Sequence, residues 1–114
     1  MKTEQPILIT SIAAKVNLSK NLFIGFDGDI CGNGKKAIGA SNSETDLGEM
    51  APLAAKGIAL VLSGAAVSVE DKIQSDANGK AITFSSGEAN GYAMDAATGA
   101  DELIRVLLIW KFYF

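Results

Sequence analysis

The sequence predicts a mainly β protein, built as a small β-barrel or a compact β-sandwich. Three observations lead there. Glycine is abundant and proline scarce, at 12 and 2 of 114 residues, a balance that suits many tight reversals between short extended runs. The turn dipeptides Asp27-Gly28 and Asn78-Gly79 sit between apolar runs, and both accept the positive φ that a two-residue hairpin requires. Apolar residues alternate with polar ones in windows such as Val67–Phe84, where Val67, Val69, Ile73, Ile82 and Phe84 are the apolar beats. Recurring glycines interrupt any sustained helical period. With 48% apolar and 20% charged residues, the chain is globular and of single-domain length.

Taken in order, residues 1–12 are expected to form an extended N-terminal arm, with Ile7–Ile12 a candidate strand whose edge is free to pair with another chain. Residues 13–114 form one β domain. Ala13–Lys20 is a polar connection in which Val16 and Leu18 alternate with polar residues, and Asn21–Phe26 is a strand ending at the Asp27-Gly28 turn. Lys36–Ala40 is a short strand after the loop Gly32-Asn33-Gly34. Ser41–Lys56 is polar and turn-like, with a short helix expected over Glu44–Ala55 and Ser43 as its cap. Gly57–Ser63 is an apolar strand. Val67–Phe84 is a strand pair about the turn Asp76–Gly79, and Gly91–Met94 pairs with Leu103–Ile109 around the loop Asp95–Glu102.

The two halves resemble one another. Leu18 set over Val69, 51 positions on, brings Leu22 over Ile73 and Gly28 over Gly79; one further residue brings Gly39 over Gly91. Residues 16–62 and 67–108 then each read as strand, glycine turn, strand, loop, strand, which suits two similar β units that protect each other's edges.

Composition removes several classes of chemistry. There is no histidine, so the commonest general base and metal ligand are missing. A single cysteine, Cys31, excludes an internal disulfide and has no histidine to activate it. Gly28–Lys36 invites a phosphate-loop reading, but five residues separate Gly28 from Gly34, and Lys35 is followed by Lys36 instead of a hydroxyl residue. Asp27, Asp29, Asp76 and Asn78 lack the spacing of a calcium loop. Glu70-Asp71 and Asp101-Glu102 are adjacent carboxylates whose side chains diverge in extended backbone, and Ser85-Ser86-Gly87 lacks the context of a hydrolase elbow. No catalytic residue, cofactor or metal is therefore expected. The net charge of −3 argues against binding to nucleic acid, and no apolar run is long enough for a membrane span. The apolar run Ile7–Ala14 follows Glu4 and Pro6 rather than a basic stretch and is not read as a secretion signal.

The last residues stand apart. Trp110, Phe112, Tyr113 and Phe114 crowd into five positions. Such a run either continues the final strand under its own core or docks on a partner. With Ile7, Leu8 and Ile9 of the arm, these four aromatics are the candidate interface residues.

The ordered segments Val61–Gly64, Ser75–Lys80, Gly91–Ala97 and Arg105–Leu108, with Asn21–Phe26 and Ile38-Gly39 before them, resemble the phage capsid cement, or head decoration, proteins over residues 13–108. Glu70-Asp71 stands where a Gly-Asp pair is common in that family, and Asp95 where glutamate is frequent. The aromatic run after Leu108 departs from the pattern. The resemblance implies a non-enzymatic β protein, made in the host cytoplasm, that binds the outer surface of the assembled head and bridges neighbouring major capsid proteins in the virion, usually as a homotrimer. The family offers no catalytic residues to carry over. The competing expectation is a small β-barrel binding module for glycan or peptide, which calls for aromatics along one concave strand face.

Overall fold

The computed structural model describes residues 2–109. Among them there is no helix, and eight strands form one nearly closed, barrel-shaped sheet. They are β1 (Gln5–Ala13), β2 (Phe23–Gly25), β3 (Ala37–Ser41), β4 (Met50–Leu62), β5 (Lys72–Ser75), β6 (Ala81–Thr83), β7 (Gly91–Ala93) and β8 (Leu103–Leu108). The sheet runs β2-β3-β4-β8-β7-β5-β6, with β1 added on β4. All strand pairs are antiparallel.

The chain reverses at both expected turns, with positive φ at the glycine of each and not at Asp27 or Asn78, so neither is the two-residue hairpin expected. Gly28 and Gly79 adopt φ of 86° and 76°, in the left-handed region that costs other residues about 1–2 kcal/mol. The Asp76 carboxylate accepts from the Asn78 and Lys80 amides and so fixes the turn between β5 and β6. That turn also helps to close the barrel. The Phe23 N–H donates to the Gly79 carbonyl at 2.7 Å, and the Gly34 N–H to the Ser75 carbonyl at 3.0 Å.

The helix expected over Glu44–Ala55 does not form. Gly48 takes φ of 88°, Pro52 has no amide to donate, and Thr45 exchanges backbone bonds with Leu18 instead. From Met50 the chain is extended: Ala51 and Leu53 point inward while Met50 is exposed. The apolar run Gly57–Ser63 is therefore only the second half of a strand of 13 residues. Val69 likewise departs from its expected place among the inward beats. It is exposed, while Val67 is buried and bridges Ala97. The residues expected as an arm supply β1, which lies along β4 from Gln5 opposite Ile58 to Ala13 opposite Met50.

Two packed clusters fill the interior. One is built on Leu18, Leu22, Ile24 and Leu53 of the first half. The other joins Phe23, Ala40 and Ala54 of the first half to Ile73, Ile104 and Val106 of the second. Two buried amides tie a loop of the first half to the second. Gln74 accepts from the Ser85 and Ser86 amides and donates to Asn33. The Asn90 side chain accepts from the Ala37 N–H at 2.9 Å and donates to the Lys35 carbonyl. No buried side-chain nitrogen or oxygen lacks a partner among the described residues, as a buried polar group requires.

Gly57 is where β4 bends. It has φ of 98°, and a Cβ there would lie 2.6 Å from the Gln5 carbonyl oxygen and 2.7 Å from the Ile7 nitrogen. Gly57→Ala is expected to destabilise the fold by at least about 2 kcal/mol, combining backbone strain with a clash against β1, or roughly 8 °C in melting temperature. Thermal unfolding followed by circular dichroism checks this; an unchanged midpoint shows that the bend does not depend on glycine.

Candidate interaction surface

β1 is an edge strand, paired with β4 alone among the described residues. An edge of this kind offers backbone donors and acceptors to another chain. Its side chains break the two-residue alternation. Register shifts between Pro6 and Leu8 and between Leu8 and Ile9 turn three successive apolar side chains outward. Ile7 is 78% exposed, and Leu8 and Ile9 are exposed beside it. Farther along, Ile12 turns inward onto the first-half cluster. The structure thus brings together the three candidate interface residues of the N-terminal segment, and their exposure follows from the bulge. The other candidates, Trp110, Phe112, Tyr113 and Phe114, lie outside the described residues.

A second apolar surface was not legible as such. Across the sheet, Gln5 is matched with Ile58, Ile58 with Leu107, Leu107 with Tyr92, and Tyr92 with Lys72. Partners in such a row share one face of the sheet. Ile58 is half-buried, and Tyr92, Leu107 and the nearby Val69 are exposed. A shallow open hollow of about 510 Å³ lies here, lined by Val69, Glu70, Tyr92, Ala93, Met94 and Leu107. The available signal was β8 itself. Leu103–Leu108 is apolar at nearly every position instead of alternating, because Ile104 and Val106 enter the core while Leu107 lies on the other face. A strand apolar on both faces is one that expects cover on both.

An ion pair lies on β8, the strand that carries Leu107. Arg105 lies in β8 with its Nε 3.0 Å from Asp95 Oδ2 and an Nη 3.0 Å from Oδ1, and its backbone N–H also donates to Oδ2. This two-pronged pair holds the Asp95 carboxyl down to about 2, first through the guanidinium hydrogen bond and against the opposing effect of desolvation. The remaining candidates for chemistry are occupied with structure. The Asp27 and Asp29 carboxylates cap the amides of their own turn, and Glu102 accepts from Thr98. Cys31 is buried, and that burial pushes its thiol up. No group of three metal-ligating side chains gathers among the described residues.

What the fold displays is contact surface on a closed β scaffold, the design of a structural protein. A family model described as phage cement protein matches residues 1–108, and the chain belongs to that family. Among solved structures, the N base of head fiber gp8.5 of bacteriophage phi29 is similar in fold. Its TM-score is 0.72 at 17% sequence identity, over 90% of this chain and 93% of that chain. No curated protein sequence matches. The protein is a capsid-associated structural protein of a phage virion.

The Asp95–Arg105 pair sets a pH dependence with a definite sign. A carboxylate whose pKa is depressed in the folded state contributes stability above its ordinary value near 4, and loses that contribution as pH falls through the depressed value. Asp95→Asn is expected to lower the melting temperature at pH 7, with the gap to the unaltered protein narrowing below about pH 4 and closing near pH 2. Melting curves across this range check it; a gap that stays constant assigns the loss to packing instead of charge.

Proposed function

We propose that this protein is a decoration subunit that binds the outer surface of the assembled head and stabilises contacts between neighbouring major capsid proteins. The exposed edge of β1 carries the reading. A subunit that works by contact needs backbone groups and apolar area on offer, and Ile7, Leu8 and Ile9 supply apolar area beside a strand edge that pairs with no other strand among the described residues. A strand of the capsid protein adds to this edge by main-chain bonding, with Ile7 and Ile9 filling pockets beside it. Membership of the cement family supports the head as the target. Many identical modest contacts over a shell then give tight retention without a strong single site.

In this reading the subunit is a homotrimer, with Trp110, Phe112, Tyr113 and Phe114 at the contacts between copies. It binds protein, with no nucleic acid, membrane, cofactor or catalysed reaction, and it is made in the host cytoplasm before joining the virion. The net charge of −3 suits a protein partner better than DNA.

The test is co-sedimentation of the purified protein with mature capsids. Ile7→Ser combined with Ile9→Ser is expected to weaken capsid binding at least about tenfold, since each isoleucine contributes on the order of 1.5–3 kcal/mol when fully buried in a contact. Its melting temperature should stay close to that of the unaltered protein, because both side chains are exposed in the free subunit. Undiminished decoration by the folded variant removes β1 from the interface, and failure of the unaltered protein to co-sediment overturns the decoration role.

A further inference from the structure

The two halves of the barrel share a bonding pattern that reveals an uncovered face. In the first half, the Ala14 N–H donates to the Glu49 carbonyl and the Gly48 N–H to that of Ala14; in the second, Ser63 donates to Glu102 and Asp101 to Ser63. Leu18 and Thr45 exchange bonds in one, Val67 and Ala97 in the other. Gly48 and Asp101 both hold positive φ, and so do Asn21 and Glu70. A Cβ on Gly39 would lie 2.5 Å from the Ala54 carbonyl oxygen, and one on Gly91 would lie 2.4 Å from that of Leu107. By this correspondence the cross-strand pair Ala40–Ala54 occupies the place of the pair Tyr92–Leu107.

The environments of the two pairs are opposite. Ala40 and Ala54 are each 1% exposed, packed in the cluster that holds Ile73, Ile104 and Val106 of the second half. Tyr92 and Leu107 are 40% and 45% exposed. The second half covers this face of the first, while no described residue does the same for the second half. The residues there are larger, as a face meeting another surface would carry, and the hollow beside them is lined mainly by apolar groups.

We propose that this face, centred on Tyr92, Leu107 and Val69, receives the aromatic segment 110–114 of a second copy of this chain. The inference rests on reading that segment as a contact between copies, and it supplies the acceptor. Three observations favour this occupant. The segment follows Ile109 directly, and the Ile109 N–H donates to the Asn90 carbonyl, so the described residues end next to the start of β7, the strand that carries Tyr92. Ile109–Phe114 contains no Gly, Pro, Asn or Asp, the residues that make tight reversals, so a return onto the face just left is disfavoured. Glu70 is the charged residue that lines the hollow, and the segment 110–114 carries Lys111 and no acidic side chain, so the charges that meet here are of opposite sign. Donor and acceptor are different surfaces, so the contact is made reciprocally in a two-fold dimer or head to tail in a ring when the rotation allows closure.

Trp110 is the only tryptophan, so its fluorescence reports on the segment directly. At tens of micromolar, the full chain should show blue-shifted emission and an oligomeric mass by light scattering, and both should revert together on dilution. Leu107→Lys and Tyr92→Lys should each weaken self-association at least tenfold and leave the emission red, with thermal unfolding retained because both positions are exposed. Mixing Leu107→Lys, which keeps the donor, with a variant carrying Trp110→Ser and Phe112→Ser, which keeps the acceptor, should restore blue emission. Emission that is blue at every concentration places the segment on its own chain and overturns the proposal. Emission that is red throughout, or assembly indifferent to Leu107→Lys, also overturns it. Capsid co-sedimentation of the unaltered protein separates these failures from failure of the decoration role: a monomer that still decorates heads sinks only the acceptor.

Discussion

The fold depends on β4 pairing with three strands, β1 along one edge and β3 and β8 on the other. Leu53 and Ala54 face Thr10 and Ile9 of β1 on one side and Ser41 and Ala40 of β3 on the other. Ile58 is matched with both Gln5 and Leu107. Because β3 and β8 occupy successive stretches of one edge, a single strand belongs to both halves of the barrel. Ala51, Leu53, Ala54, Ala59 and Val61 are its buried apolar side chains. Gly57 supplies the bend between the two stretches, where a side chain would strike the backbone of β1.

Polar bonding then locks the halves in place. The Gln74 and Asn90 amides are almost wholly buried, and both reach loop residues of the first half. Removing Asn90 would leave the buried Ala37 N–H without its partner, at a cost of about 1–3 kcal/mol. Apolar packing alone would tolerate sliding between the halves; these directional bonds select one arrangement.

Turn chemistry made much of this architecture legible. Asp27-Gly28 and Asn78-Gly79 mark turns because few residues other than glycine accept the backbone angles of Gly28 and Gly79, and that constraint is local. The pairing of Gly91–Met94 with Leu103–Ile109 was readable for the same reason, as two apolar runs with one polar loop between them. Residues 44–55 misled because their composition tolerates a helix, while the positive φ of Gly48 and the demand of β1 and β3 for a shared partner are set by distant chain. Leu18 and Val69, matched by spacing, do not share a place: Leu18 bonds to Thr45, and Val67 takes the corresponding position opposite Ala97. The second half spends two additional residues between its matched core strand and its turn. In the first half Ile24 faces Gly39, and in the second Ile73 faces Gly91, yet the turns that follow bond alike at Gly25–Asp29 and Asp76–Lys80. A spacing argument carries no information about which strand absorbs an insertion.

The interaction surfaces were harder to read because exposure is a property of register. Ile7, Leu8 and Ile9 look like the interior of a strand, and it is the bulge opposite β4 that turns all three outward. Tyr92 and Leu107 look like ordinary core positions, and their equivalents Ala40 and Ala54 are. The difference between these pairs comes from chain order: the first half is followed by a second that covers it, and the described structure holds no third unit to do the same again. Among the described residues the second β unit therefore leaves an apolar face uncovered. On a shell built from many copies, another chain is the available cover, and the same geometry that completes one subunit's core leaves the next contact open.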